Sequence, residues 1–297
     1  MSAPPLYGGI EAGGTKWVCA IADADGKVLA TRVIPTTTPE TTITAAVRFF
    51  RDHRTLAAVG VGSFGPVDLR TGSPTYGHIT ATPKPGWSGT DVVSPLRAAL
   101  RVPVGLDTDV NAAALGEWRR GAGRGLGTVA YMTVGTGIGV GAVVNGRPLH
   151  GLLHPEFGHV RIPHDRTRDP FAGSCPFHGD CLEGLASGEA MRRRWGQRAE
   201  DLDDPAAWEL EAEYVAHAVM NLTYALSPER IIVGGGVTRR AGLMGRTRAR
   251  AFDLAAGYPE ISALTDRAAM DEYVVSPSLG DHAGITGAVE LAMRCFA

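Results

Sequence analysis

One order of local features occurs twice in this chain, about 120 residues apart. In the first copy, YGGIEAGGTKWVCAIADADG, an apolar strand leads through a glycine-rich turn into a second strand, which ends at an Asp-Gly turn. The second copy, VAYMTVGTGIGVGAVVNG, has a strand, a turn of small residues, another strand and an Asn-Gly turn. Such internal repetition favours duplicated halves that face each other across a cleft.

The segments around these copies alternate between strand and helix patterns. PETTITAAVRFFRDH has the apolar spacing of a helix, and LAAVGVGSFGPVDL predicts a buried strand. An apolar stripe from Trp208 to Leu226 predicts a helix that ends at Pro228. RIIVGGGV then predicts a strand, and DHAGITGAVELAMRCF predicts a closing helix. Because strands and helices alternate, we predict an α/β protein with a mainly parallel core.

Charge balance and apolar content limit the classes of partner. The 297 residues are 44% hydrophobic, enough for two domains or for one large α/β unit, and 29 Lys and Arg oppose 31 Asp and Glu. This near balance predicts no basic face for polymeric nucleic acid or for a membrane surface. We see no secretory signal in the first residues, and glycines interrupt the longest apolar stretch, 129–144. We therefore predict a cytoplasmic protein whose four cysteines form no disulfides.

Three glycine-rich turns follow predicted strands: EAGGTK (11–16), VGTGIG (134–139) and VGGGV (233–237). Each turn alone is compatible with a simple tight hairpin. Glycine also lets successive backbone N–H groups approach phosphate oxygens, and two of the turns carry a hydroxyl, at Thr15 and Thr136. None has the spacing of a P-loop, and VGTGIG lies between strands rather than before a helix, unlike a Rossmann turn. The turns therefore predict a nucleotide in a cleft between hairpins.

Two carboxylates follow the apolar segment VPVGL, in DTDVNAAALGEW. Asp107 and Asp109 lie at a predicted strand end, and Asn111 is expected to cap the helix that follows. A carboxylate at such an edge can take the proton of a hydroxyl that attacks phosphorus. The alternative, a charge that only favours the helix N-terminus, fits Asp107 better than Asp109. Lysine is rare in the chain, so Lys84 in TATPKPGW is either a functional cation or a solvated loop charge.

The stretch CPFHGDCLEG places Cys175, His178 and Cys181 within seven residues. Upstream, HPEFGHVRIP supplies His154 and His159, either of which could complete a set of two cysteines and two histidines. Zn²⁺ suits this mixture of thiolates and imidazoles, and four protein ligands would make the site structural, with no position for a water. The alternatives are a redox pair of thiols and a loop without metal.

These residues together resemble the ROK group of sugar kinases, within the actin/hexokinase/Hsp70-like ATPase superfamily. The matching segments, from about Tyr7 to the closing helix, are GIEAGGTK, DVNAAALGE, TVGTGIGVGAV, EFGHV, CPFHGDCLEGLASG and GGGV. The resemblance implies two duplicated actin-like (ribonuclease H-like) α/β domains flanking a cleft. They would be residues 1–117, with helix 283–297 packing back on them, and residues 118–282, which include a zinc-binding loop at 154–184.

The resemblance also implies roles for individual residues. Asp109 would be the base that deprotonates the sugar hydroxyl, and His159 would use one ring nitrogen for the sugar and the other for Zn²⁺. The sugar-binding residues would be Gly65, Lys84, Thr108, Asp109, Glu156, His159 and Glu183. The nucleotide-binding residues would be Gly13, Gly14, Thr15, Lys16, Gly135, Thr136, Gly137, Gly234, Gly235 and Gly236. The zinc ligands would be His159, Cys175, His178 and Cys181.

Three features look like the bacterial fructokinase branch of this family: Glu11 in place of Asp, TPKPGW, and the Cys-x-x-His-x-x-Cys loop. The resemblance thus implies a homodimer that uses ATP and Mg²⁺ to convert D-fructose to D-fructose 6-phosphate. Thr108 and Lys84 occupy positions where ROK aldohexose kinases commonly have Asn, so glucose specificity is not carried over. A mannokinase, a broad-specificity hexokinase and a sugar-responsive regulator without a DNA-binding domain are the alternatives.

Overall fold

The computed structural model describes residues 4–53 and 56–296. They form two compact units, each with a β-sheet and helices, so the protein has a two-sheet α/β fold. The first unit contains the described residues up to Gly121, the segment Arg147–Pro155 and the residues from Asp281 onward, and the second contains Ala122–Gly146 and Glu156–Gly280.

Ten strands and ten α-helices lie within the described residues. In chain order the strands are β1 (Tyr7–Ala12), β2 (Lys16–Ala22), β3 (Val28–Pro35), β4 (Ala58–Ser63), β5 (Val104–Thr108), β6 (Thr128–Val134), β7 (Ile138–Val144), β8 (Arg147–Pro148), β9 (Arg230–Gly234) and β10 (Val274–Val275). The helices are α1 (Pro39–Arg51), α2 (Ser94–Leu100), α3 (Asp109–Arg120), α4 (Leu182–Ala186), α5 (Gly188–Trp195), α6 (Pro205–Leu226), α7 (Leu243–Ala255), α8 (Ser262–Thr265), α9 (Arg267–Tyr273) and α10 (Ala283–Phe296). None of these helices combines the length and the apolar character of a membrane span.

The two units repeat one strand arrangement. The first has the order β3-β2-β1-β4-β5, and within the second the strands β7-β6-β9-β10 follow the same order as β2-β1-β4-β5. Each begins with an antiparallel hairpin whose first strand then pairs with a parallel strand. The predicted mainly parallel core is wrong for the first sheet, which has two antiparallel and two parallel strand pairs. Short turns join β1 to β2 and β2 to β3, and such turns connect only antiparallel neighbours.

Helix α10 completes the core of the first unit. Its residues Ile285, Ala288 and Val289 are buried, and the helix packs against β1, β4 and α3. Gly287 allows the closest approach to α3, because a Cβ there would overlap the carbonyl oxygen of Ala112. The sequence prediction of a closing helix is confirmed.

The segment Arg147–Pro155 belongs to the first unit, whereas the sequence analysis placed it within 118–282. Three hydrogen bonds tie it there. Asn111 Nδ2 donates to Leu149 O at 3.5 Å, His150 Nε2 lies 2.9 Å from Asp107 Oδ2, and Val67 N donates to His154 Nε2 at 3.2 Å. These bonds link residues far apart in sequence, so local patterns give no sign of them.

Helix α6 is the central helix of the second unit's core. It ends at Leu226, two residues before the predicted end at Pro228, and Ser227 follows in the left-handed conformation. Most of its residues are buried, and the helix packs against α7 and α4. Among these residues Trp208 and Tyr214 are almost fully enclosed. Glu211 is also only 1% exposed, and neither of its carboxylate oxygens has a hydrogen-bond partner within the described residues.

Replacing this buried acid is expected to stabilise the protein in a pH-dependent way. Burial raises the pKa of Glu211 well above its ordinary value, against a smaller opposing effect of Arg194. The folded state therefore retains a proton that the unfolded state loses, so Glu211 lowers stability increasingly as pH rises above its ordinary pKa. Glu211→Gln should raise Tm by several degrees at pH 8 and change it little at pH 5. Glu213→Gln, on the same helix, is the control. Equal Tm changes at both pH values for Glu211→Gln would contradict this expectation.

Candidate functional site

The junction of β5 and α3 holds the predicted base. Asp109 is the first residue of α3, and its Oδ1 accepts a hydrogen bond from Val110 N at 2.8 Å. Thr108 precedes it in an extended conformation and caps the helix, since its Oγ1 accepts from Asn111 N at 3.1 Å. The prediction that Asn111 caps this helix is therefore wrong. Thr108 is 3% exposed, so capping is the observed role of its side chain.

Asp107 has a structural environment. Its buried carboxylate accepts hydrogen bonds from Thr108 N and from Asn111 Nδ2, each at 2.8 Å, and lies 2.9 Å from His150 Nε2. The bond to Asp107 raises the pKa of His150. These partners hold the end of β5 and the start of α3, which fits the alternative interpretation of Asp107 as a carboxylate that only supports the helix N-terminus.

The first glycine turn follows β1 and contains Gly13, Gly14 and Thr15, with Lys16 beginning β2. Gly13 N donates to Lys16 O at 3.0 Å, and Thr36 Oγ1 donates to Gly13 O at 2.7 Å. The side chains of Thr15 and Lys16 are exposed. This turn is thus held by its own backbone and by Thr36, which lies in the connection between β3 and α1. The side chains of Thr15 and Lys16 remain accessible to a ligand.

Glu11, at the end of β1, lies in a region of negative charge. Burial, together with the charge of Asp109, raises the pKa of Glu11 to about 7, while Lys16 acts in the opposite direction. Asp109, the predicted base, and Lys16 of the first turn therefore both act electrostatically on Glu11 within one unit.

The two loop residues predicted to face the sugar occupy ordered surroundings in the first unit. Lys84 is half-buried, and its loop is anchored by Trp87, whose Nε1 donates to Thr37 O at 2.8 Å. Gly65 precedes a cis Pro66. A Cβ at Gly65 would lie 3.7 Å from the ring of His154.

Four candidate metal ligands converge in the second unit. His159, Cys175, His178 and Cys181 each offer one ligand atom, and these atoms all lie within 4.8 Å of one another. His159 lies in the 3₁₀ turn Phe157–His159, whereas Cys181 directly precedes α4. The sequence spacing allowed either His154 or His159 as the fourth candidate ligand, and in the structure His159 lies in this cluster.

The distances within this cluster fit a tetrahedral ion. Around Zn²⁺ two nitrogens would be separated by about 3.3 Å and a nitrogen and a sulfur by about 3.6 Å. The Nδ1 atoms of His159 and His178 are 3.3 Å apart, and Sγ of Cys175 lies 3.7 Å from both. Sγ of Cys181 lies 3.6 Å from Nδ1 of His159. Hydrogen bonds among these side chains would not require all four nitrogen and sulfur atoms to lie close together. The arrangement therefore indicates a site that could hold a metal.

The other ring nitrogen of His159 faces a carboxylate. Its Nε2 lies 3.9 Å from Glu156 Oε2. The side chain of Glu156 is 42% exposed to solvent. Partial burial and the negative charge of Glu183 nevertheless raise the pKa of Glu156 to about 7. Glu183 itself lies on α4, where its Oε2 accepts a hydrogen bond from Ile138 N at 3.0 Å.

A polar cavity of about 900 Å³ lies beside the second glycine turn. Of the residues predicted to bind nucleotide, Gly135, Thr136 and Gly236 line it, while Gly137, Gly234 and Gly235 are sequence neighbours of the lining. The remaining lining residues were not predicted, and they are Gly188, Glu189, Arg192, Arg198, Ala199, Glu200, Trp208, Val237, Arg239, Arg240 and Ala241.

This cavity carries four arginines and two glutamates, which gives it an excess of positive charge suited to a phosphorylated ligand. Arg192 pairs with Glu189 at 2.9 Å, and the guanidinium of Arg240 lies 5.3 Å from the centre of the Trp208 ring. Three of these arginines lie in the segments RRRW and VTRR, which resemble solvated surface charge and so gave no functional signal, and Arg198 lies outside any motif. Only the proximity of VTRR to the third glycine turn could have indicated them.

The chain belongs to the ROK family, whose model matches residues 7–294. Among curated proteins it is similar to the fructokinase of Zymomonas mobilis, with 46% identity over 97% of this chain and 96% of that protein. The fructokinase of Lactococcus lactis is 40% identical over 98% of both chains. Among solved structures, the ROK hexokinase from Thermus thermophilus matches with a TM-score of 0.79 and 28% identity, over 97% of this chain and 98% of that chain.

Proposed function

We propose that this protein is an ATP-dependent fructokinase, which converts D-fructose and ATP to D-fructose 6-phosphate and ADP. The observation that carries this proposal is the sequence similarity to the fructokinases of Zymomonas mobilis (46% identity) and Lactococcus lactis (40% identity), which extends over nearly the full length of this chain. Identity of this extent leaves no large segment of either unit unmatched, so the base, the glycine turns and the Cys/His loop are covered together.

Asp109 is proposed as the catalytic base. Its carboxylate lies at the first turn of α3, where the helix N-terminus offers partial positive charge. The carboxylate orients the C6 hydroxyl of fructose and takes its proton as the hydroxyl oxygen attacks the γ-phosphorus. The bond to the β–γ bridging oxygen then breaks, and ADP leaves.

ATP is proposed to bind the polar cavity of the second unit. Thr136 and the backbone around it approach the phosphates, and the arginines offset their charge. Within the first unit, the turn Gly13–Lys16 is proposed as a further phosphate-binding turn, with its backbone N–H groups and the Lys16 ammonium. Mg²⁺, when bound, supplies further neutralisation of the β- and γ-phosphates.

Lys84 and Gly65 are the proposed sugar-binding residues of the first unit, and Glu156, His159 and Glu183 are those of the second. The Cys/His cluster would hold Zn²⁺ as a structural ion, because all four ligand positions come from the protein. His159 would then be fixed through Nδ1, which leaves Nε2 oriented toward a sugar hydroxyl. The family resemblance further implies a homodimer, which sedimentation of the purified protein would test.

The decisive experiment measures ADP formation with ATP, Mg²⁺ and each of fructose, mannose, glucose and N-acetylhexosamines. We expect the largest kcat/KM with fructose, and the product should carry its phosphate on C6 by NMR. A larger kcat/KM with mannose would replace the proposal with a mannokinase, and equal values across hexoses with a broad-specificity hexokinase. Binding of sugar without any turnover would indicate a regulator.

A further inference from the structure

The second glycine turn is held by residues that also belong to the Cys/His loop. The hairpin closes at Gly135–Gly137, between β6 and β7, and Ile138 is the first residue after it. The Ile138 N–H is fixed by Glu183, which follows the cluster residue Cys181 by two positions. A Cβ at Gly137 would lie 2.6 Å from Glu183 Oε2, so the carboxylate lies directly against the turn.

A second contact reaches the same residue from the other side. Gly158 lies in the 3₁₀ turn that carries His159, and a Cβ there would overlap the carbonyl oxygen of Ile138. Ile138 is thus enclosed by two segments, each of which carries a ligand of the cluster. These segments are themselves joined where Leu182 N donates to Val160 O at 2.9 Å.

The start of α5 completes the contacts with the turn. Gly188 N donates to Gly135 O at 2.7 Å, and Glu189 N donates to Thr136 O at 3.4 Å. Helix α5 follows α4 after the single residue Ser187, so its start is also placed by the segment that leaves Cys181. Both Gly188 and Glu189 line the polar cavity together with the turn.

We propose that the metal-held Cys/His loop positions the phosphate turn Gly135–Gly137, and that Glu183 is the positioning residue that transmits this order. A metal in the cluster joins three segments: the turn with His159, the loop with Cys175 and His178, and the start of α4. Without it, the segments that carry Glu183 and Gly158 lose a common anchor, and Ile138 loses its fixed partners. Nucleotide affinity therefore depends on metal occupancy even when no sugar is bound. This inference rests on the proposed nucleotide site.

The test measures binding of ADP with Mg²⁺ by calorimetry, in the absence of sugar. The samples are zinc-loaded protein, protein stripped by a chelator that is then dialysed away, Glu183→Ala and Glu183→Gln. Glu229→Ala is the matched control, because Glu229 Oε2 accepts from Thr128 N at 2.8 Å and so holds β6 at the end opposite the turn. Hydrogen exchange at the Ile138 amide is followed in the same samples, below the unfolding transition of each.

We expect stripping and Glu183→Ala to weaken ADP binding about tenfold or more and to accelerate exchange at Ile138. Glu183→Gln should retain most of the affinity, because its amide oxygen can accept the same hydrogen bond, and Glu229→Ala should bind as the unmodified protein does. Equal ADP affinity and equal Ile138 exchange in loaded and stripped protein would overturn the inference. If loaded protein binds no ADP, the proposed function fails instead, and the Ile138 exchange rates still decide whether the loop orders the turn.

Discussion

Asp109→Asn is expected to lower kcat by about 10²–10⁴-fold, the range over which a positioned general base accelerates proton transfer. Asparagine has nearly the same shape and can keep the hydrogen bond that Val110 N now donates, so the start of α3 should persist. Fructose binding, measured by calorimetry, should change only a few-fold, because the substitution removes a proton acceptor rather than a surface of the pocket.

Asp107→Asn is the control that distinguishes loss of the proposed base from a structural disturbance at the end of β5. Asp107 accepts two hydrogen bonds and contacts His150, so its replacement should lower Tm clearly. Its effect on kcat should be much smaller than that of Asp109→Asn. If Asp109→Asn retains a tenth or more of the original kcat, Asp109 is not the base.

Removal of the cluster's metal is expected to lower Tm by about 10 °C or more. Binding energy at a structural zinc site contributes directly to folding, and each kcal/mol corresponds to about 2–4 °C for a unit of this size. Cys175→Ala should have a similar effect, because Cys175 Sγ lies 3.7 Å from two of the other ligand atoms. Differential scanning calorimetry with metal analysis of the same samples provides the measurement.

Sugar affinity should fall in parallel with Tm, since His159 is proposed to serve both the metal and the sugar. The control is Cys295→Ala, whose exposed thiol lies outside the cluster. It should retain the metal content and fructose affinity of the unmodified protein. If protein without metal melts at the same temperature as loaded protein, the cluster is not a structural metal site.

Features set by local sequence were predicted well. Neighbouring residues determine both the glycine-rich turns between apolar strands and the apolar stripe from Trp208 to Leu226. The structure has hairpins at the first two of these turns and α6 at the stripe. The spacing of Cys175, His178 and Cys181 likewise placed three candidate metal ligands in one loop, whereas the choice between His154 and His159 depends on tertiary structure. His154 accepts a hydrogen bond from Val67 N instead.

Features that depend on distant residues were missed or misassigned. Thr108 and Asn111 are both residue types that favour helix N-caps, and Asn111 was the wrong choice. Its side chain is buried and donates to Asp107, a contact that the sequence pattern does not reveal. The cavity arginines come from α5 and from loops between residues 198 and 240, and no single motif contains them. The role of Glu183 at Ile138 also joins residues 45 positions apart.

The contribution of α10 to the first unit has a consequence for the order of folding. Strands β1 and β4 pack against a helix that follows them in sequence by more than two hundred residues, and contacts of such large separation form late. The ribosome releases all of Ala122–Gly280 before α10 emerges, so the second unit can bury its core while the first still exposes apolar strand surface. The half that is synthesised first is therefore expected to be the last to become native.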